Sequence, residues 1–251
     1  MGVERYLLAR ATVLRLPTFP VLDVGCGDGR LVLALESRVS ETVLGHDLPE
    51  VCSRCWANVS SVHSEEEFER RFTFWPAEEG LPHADRSIGL IVSNQVVEHV
   101  SDLSRYFSEC ARVLHPRGRM MCIFPPKSHL IEAHTRVLLL HRLPPGPARR
   151  AYIGWYHRTF AVPRQRGDED VSRFWDRWLE ERTFYRSHRQ VRAEAAKYFA
   201  RVESDATHYR DAVFENRWTG RMPGVHRALQ VLVNRTLVFS EPRPPQAQPR
   251  R

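Results

Sequence analysis

Val21-Leu-Asp-Val-Gly-Cys-Gly-Asp-Gly-Arg30 decides the fold. A short apolar strand carries an acid at Asp23, and three glycines follow at alternate positions, Gly25, Gly27 and Gly29. Glycine has no Cβ, so such a run turns tightly and lets a ligand approach the backbone. Leu31, Val32 and Leu35 then begin an apolar face at helical spacing. Strand, glycine turn and helix form the ligand corner of a doubly wound α/β sheet.

The spacing is G-x-G-x-G rather than the dinucleotide G-x-G-x-x-G. Asp23, two residues before the first glycine, repels a phosphate and suits a cationic amino acid. A second acid, Asp47, ends the next apolar stretch, Thr42–His46, where it can accept both hydroxyls of a ribose. An acid for an ammonium and an acid for a ribose fit S-adenosylmethionine better than NAD.

Working outward, a helix over residues 4–16 precedes this corner, and Pro17 and Pro20 close it. Strands are predicted at Val21–Val24, Thr42–His46, Arg71–Trp75, Ile88–Ser93, Met120–Phe124, Val202–Ser204 and Thr236–Ser240. Ile88–Ser93 is a continuous apolar run, as a buried parallel strand requires. It leads into Asn94-Gln-Val-Val-Glu-His-Val100, whose polar residues point into the ligand crevice. After the third strand comes a loop, Pro76–Pro82, in which Ala77 offers a backbone N–H and Glu78 an acceptor to an adenine.

Ser101-Asp102 caps a helix, with Leu103, Tyr106, Phe107, Cys110, Val113 and Leu114 on one face. Pro116 and Gly118 are expected to end it. Further helices are predicted over Val171–Glu180, from Ser187 through Phe199, and over residues 225–234. Glu65–Glu67 reads as a solvated charge run.

The pattern changes at Lys127. Residues 127–170 are rich in proline and carry His129, Glu132, His134 and His141. The stretch is too long for a plain strand-to-helix connection. It reads as an insertion over the mouth of the pocket, within a single domain over residues 1–240. Residues 241–251 read as a disordered tail.

Composition narrows the class. The 251 residues are 42% hydrophobic and 27% charged, enough for a full core. No apolar run approaches the roughly 18 residues of a membrane span. The glycine loop begins too early to leave room for a cleaved signal peptide, so a cytoplasmic protein is expected. Five scattered cysteines argue against a disulfide framework, and Cys52-x-x-Cys55 reads as ordinary thiols. The net charge is +7, and all but two of the basic residues are arginine. That balance is compatible with peripheral membrane contact and does not by itself imply a nucleic-acid partner.

In order and spacing, the Val21–Gly29 stretch, the strand end at Asp47, Leu81-Pro82, Ser93–Val100 and Leu114–Arg119 resemble the class I S-adenosylmethionine-dependent methyltransferases, in particular the small-molecule group typified by ubiquinone-biosynthesis enzymes. The likeness covers about residues 20–125. It implies a Rossmann-like seven-stranded sheet, order 3-2-1-4-5-7-6, with the last strand antiparallel. It puts Asp23 and Gly25 near the methionine moiety of S-adenosylmethionine, Asp47 at the ribose, Ala77 and Glu78 at the adenine, and Asn94 and Gln95 along the cofactor, with Gly27 also among the cofactor-binding residues. Pro76 and Gly89 depart from the family pattern, where acids are common.

Ile131–Thr135 followed by His141–Pro144 is similar to an insert of methyltransferases associated with glycan and glycolipid assembly. This implies an O-methyltransferase with a sugar or glycoconjugate hydroxyl as acceptor. His99 and His134 are the candidate bases, since an imidazole titrates near neutrality, and Glu132 is the candidate orienting group. No carboxylate pair has metal-ligand spacing, so a metal-independent reaction is assumed. An RNA methyltransferase and a non-catalytic cofactor-binding subunit are the alternatives. Against RNA, no Asn-Pro-Pro-aromatic stretch follows the fourth strand and no separate RNA-binding module is visible.

Overall fold

The alternation of apolar strands and amphipathic helices builds one twisted sheet with helices on both faces. The computed structural model describes residues 2–160, 170–213 and 235–244. Its strands are β1 (Val21–Val24), β2 (Val43–Asp47), β3 (Phe72–Phe74), β4 (Ile88–Asn94), β5 (Leu114–Phe124), β6 (Phe199–Ser204) and β7 (Arg235–Pro242). The order is β3-β2-β1-β4-β5-β7-β6. β1 to β5 run parallel, and β7 is antiparallel to both β5 and β6. This is the expected fold.

The helices are α1 (Gly2–Leu14), α2 (Arg30–Arg38), α3 (Cys52–Val59), α4 (Glu65–Arg71), α5 (Leu103–Val113), α6 (Pro147–Thr159), α7 (Val171–Arg182), α8 (His188–Ala195) and α9 (Ala206–Val213). One side of the sheet packs Tyr6, Leu7, Val32, Leu35, Cys55 and Val59. The other packs Leu103, Phe107, Val191, Phe199 and Phe239. With both faces covered, all four residues of β1 are buried, and so is most of β4. A third, small core of Val137, Leu140, Ile153 and Leu179 lies within the insertion and α7. Among the described residues, no helix is long and apolar enough to cross a membrane.

Several boundaries differ from the sequence reading, each for a local reason. Pro116 and Gly118 do not end α5. It stops at Val113, its N-terminus capped by Asp102, and β5 starts at once with Leu114. The register to β4 then jumps from Ile88↔Leu114 to Leu90↔Arg119, which places both breakers in an irregularity of the strand. Glu65–Glu67 is the first turn of α4, fixed by a capping box between Ser64 and Glu67. The capping box of Ser187 and Gln190 opens α8 as expected, but the helix ends at Ala195 and Phe199 already belongs to β6. α6 was masked by the prolines around it, although Pro147 occupies its favoured first turn. The last strand runs to Pro242, two residues into the expected tail. The helix expected over residues 225–234 lies outside the described residues, as do residues 161–169 of the insertion and the chain beyond residue 244.

Candidate active site

The carboxyl ends of β1, β2 and β4 meet where the sheet changes its winding direction, the usual ligand crevice of such a fold. The glycine loop leaves β1 there. Gly25 N–H and Cys26 N–H both donate to the His46 carbonyl, at 2.7 and 3.1 Å. Gly27 N–H donates to Asp47 Oδ2 at 2.7 Å, and Leu48 N–H donates to Asp47 Oδ1 at 2.8 Å. Asp47 therefore ties the loop to the end of β2. Gly25 has φ +80, and a Cβ there would stand 2.3 Å from Val96 Cγ2. Only glycine fits between β1 and the turn after β4.

Asp23 is 1% exposed, and neither carboxylate oxygen has a hydrogen-bond partner. Burial, and then the charge of Asp47, push its pKa up to about 8. A buried acid without a partner costs stability unless a ligand supplies one. Asn94 Oδ1 and Gln95 Nε2, at the end of β4, are likewise buried and unpartnered. Gln95 holds φ +61, a left-handed conformation uncommon for its residue type. Ala77 and Glu78 form an exposed 3-10 turn after β3. Asp23, Gly25, Gly27, Asp47, Asn94 and Gln95 thus gather at one end of the sheet. Their orphaned polar atoms fit a ligand bearing an ammonium and several hydrogen-bonding groups.

A second cluster joins the loop after β4 to the insertion. Segment 183–187 lies along the loop: Phe184 N–H donates to the Glu98 carbonyl at 2.6 Å, and Arg186 Nη2 donates to the Ser101 carbonyl at 2.7 Å. This brings α7 and the insertion over His99. His99 Nδ1 donates to the Arg182 carbonyl at 2.6 Å, so the lone pair of the neutral ring lies on Nε2. His134 Nε2 faces it at 3.2 Å. His134 Nδ1 donates to Glu132 Oε1 at 2.7 Å. Trp178 packs on both imidazoles, with centroids at 5.8 Å from His99 and 4.6 Å from His134.

Glu132 is fully buried. Burial opposes its charge, but hydrogen bonds from His134, Thr135 and Tyr185 outweigh that and hold it at about 2. Thr135 donates through both N–H and hydroxyl, and the Tyr185 hydroxyl donates to Oε1. His99 is held below the ordinary imidazole value, first by loss of water and then by the facing His134, against its bond to the Arg182 carbonyl. Glu98, 2% exposed, has both carboxylate oxygens unpartnered; burial pushes it up to about 8. It does not cap the next helix, because Asp102 does.

His99, His134 and Glu132 are thus brought together in one line, His134 hydrogen-bonded to Glu132 and its Nε2 facing His99 Nε2. Glu98, Trp178, Arg182 and Tyr185 were missed as site residues. Glu98 was readable as the acid preceding His99. The other three lie at least 79 residues further along the chain from His99, with no local motif to mark them.

Residues 22–122 match the methyltransferase domain family. Among curated proteins, a malonyl-[acyl-carrier protein] O-methyltransferase of Methylovorus is 34% identical over 47% of this chain and 41% of its own length. A ubiquinone biosynthesis O-methyltransferase of Maricaulis maris is 31% identical over 41% of this chain and 39% of its own. The chain therefore matches about two fifths of the length of these relatives. Among solved structures, a chain of the complex between the Haloferax volcanii Trm112 methyltransferase activator and a methyltransferase superposes with TM-score 0.54 at 18% identity, covering 96% of this chain and 90% of that one. Geranyl diphosphate C-methyltransferase from Streptomyces coelicolor, solved with S-adenosyl-L-homocysteine, gives 0.50 at 13% identity over 94% and 75%. The domain match over residues 22–122 and the seven-stranded Rossmann-like fold together support a class I S-adenosylmethionine-dependent methyltransferase.

Proposed function

We propose that this chain transfers the methyl group of S-adenosylmethionine to a hydroxyl of a small molecule, with a sugar or glycoconjugate as the acceptor. The observation that carries the reading is the buried, unpartnered Asp23 carboxyl beside the glycine loop that Asp47 anchors. Asp23 would pair with the donor's ammonium, Asp47 would accept the ribose hydroxyls, and Asn94 and Gln95 would meet the rest of the amino-acid moiety. Ala77 and Glu78 would line the adenine. Bound there, the donor supplies an electrophilic methyl on a sulfonium.

The protein's remaining task is alignment and one proton. Orientation of the reacting atoms contributes on the order of 7–11 kcal/mol. With the donor bound, the acceptor oxygen would take the methyl carbon as its bond to sulfur is given up, and the His99–His134 pair would accept the hydroxyl proton. In the neutral pair two nitrogen lone pairs face each other at 3.2 Å. Taking up one proton turns that contact into a hydrogen bond, and ionised Glu132 balances the charge from the His134 side. Trp178 offers an apolar plane beside these polar groups, an environment suited to a sugar ring.

The test is transfer of isotope-labelled methyl from the donor by the purified chain into a pooled extract of glycans, glycolipids and small metabolites. Label in a methyl ether of a sugar is the expected product. Label in another small-molecule hydroxyl would replace the acceptor class. Donor binding with no transfer to any hydroxyl would overturn the reading.

A further inference from the structure

We propose that the insertion docks this protein onto the surface of an anionic lipid bilayer, independently of the methyl-transfer chemistry. Residues 127–160 hold one lysine and five arginines against a single acid, Glu132, which is buried and internally paired. Most of the chain's +7 therefore sits on about one seventh of its length. The excess faces outward in part: Arg136, Arg142 and Arg158 are exposed, whereas Arg149 is buried on Asp176.

Among these charges runs an apolar surface. Ile131 and Leu138 bridge the two arms of a hairpin and are 44% and 43% exposed. The Tyr152 hydroxyl donates to the Leu138 carbonyl at 3.0 Å, which joins the hairpin to α6. Tyr152 stacks on Trp155, and Trp155 meets the edge of Phe160. Trp155 and Phe160 are 49% and 58% exposed. Arg136 lies in the hairpin between Ile131 and Leu138, and Arg158 lies between Trp155 and Phe160 in sequence.

Exposed aromatic and aliphatic groups interleaved with arginine match a bilayer interface, where apolar groups enter the headgroup boundary and the cations meet lipid phosphate. An RNA partner is less well matched. The aromatic rings pack on one another, and Ile131 and Leu138 give a nucleic acid nothing to stack on or bond to. The hairpin also carries Glu132 and His134, so a bilayer held here would lie beside the candidate acceptor site.

The test is co-sedimentation of the full chain with vesicles of phosphatidylcholine alone and of phosphatidylcholine with phosphatidylglycerol. Binding to the anionic vesicles only, weakened as salt rises from about 0.05 to 0.5 M, is expected. Arg136→Gln with Arg158→Gln should weaken it about tenfold or more, by loss of two lipid-facing cations. Trp155→Ser with Phe160→Ser should weaken it by a similar factor, with donor affinity and far-UV circular dichroism unchanged. The proposal is overturned by equal binding to both vesicle types, by no binding, or by variants that bind like the wild type. Salt-sensitive binding of tRNA without vesicle binding, or dimers that dissociate in the Trp155/Phe160 variant, would assign the surface to another partner and equally overturn it.

Discussion

The proposed donor half of the crevice and the proposed acceptor half are built in opposite ways. On the donor side, Asp23 and the glycines belong to one contiguous stretch, and the end of β2 fixes the loop, through the His46 carbonyl and the Asp47 carboxylate. Its polar atoms are left open: Asp23, Asn94 and Gln95 keep buried groups without partners. On the acceptor side, the groups come from the loop after β4, the insertion, α7 and segment 183–187. There Glu132 is saturated by five donors, from His134, Thr135 and Tyr185. One half waits for a ligand to complete it; the other, Glu98 apart, is paired internally and presents a single shared proton site. The difference teaches that the donor site owes its shape to the sheet, whereas the proposed acceptor site depends on a buried ionic hub.

The largest effect should come from breaking that hub. Glu132→Ala leaves the Thr135, His134 and Tyr185 donors unpaired and should cost about 3–5 kcal/mol of stability, measured by urea unfolding. Donor affinity should stay the same, because the sheet end is untouched. In the wild type this contribution is present above the ordinary carboxylate range and is lost as pH falls toward about 2, since Glu132 is depressed to that value. A coupled loss of donor affinity would erase the division between the halves.

A smaller effect follows from Asp47→Ala. Losing a charge-assisted contact costs about 1.5–3 kcal/mol, so donor affinity should fall roughly tenfold to 150-fold by calorimetry. Transfer measured at saturating donor should be far less affected. Unchanged affinity would remove Asp47 from the ribose.

Glu98→Gln tests the boundary between the halves through pH. Glu98 is raised from 4.5 to about 8, so the folded state binds its proton more tightly than the unfolded chain. Its stability contribution is full below pH 4.5 and falls by about 1.4 kcal/mol per pH unit until about pH 8. The variant should therefore show a shallower decline than the wild type between pH 6 and 8 in thermal unfolding. Parallel curves would mean that Glu98 is not held neutral.

How much of this was readable beforehand follows the same division. The glycine loop, the acid ending β2 and the polar end of β4 are local patterns, and the sheet order comes with the family resemblance they carry. The chain from His99 through His134 to Glu132 was readable only as three separate candidates. Their contact depends on segment 183–187 lying along the loop after β4, a pairing of backbone groups that no local pattern encodes. Tyr185, Trp178 and Arg182 were invisible for that reason. α6 was hidden because proline reads as a breaker, although at a helix's first turn its missing N–H costs nothing. Pro116 and Gly118 predict a helix end that the structure lacks, for the converse reason. A strand irregularity tolerates the same breakers that would end a helix.

In the proposed donor site, Asp23 is a buried neutral acid that ionises to meet the donor's ammonium. Calorimetric titration of S-adenosylmethionine at pH 7, in two buffers of different ionisation enthalpy, tests this directly. With Asp23 raised to about 8, binding of one donor per chain should release close to one proton, and affinity should rise with pH up to that value, by at most about tenfold per unit. Heats that do not depend on the buffer, or no binding at all, would contradict it.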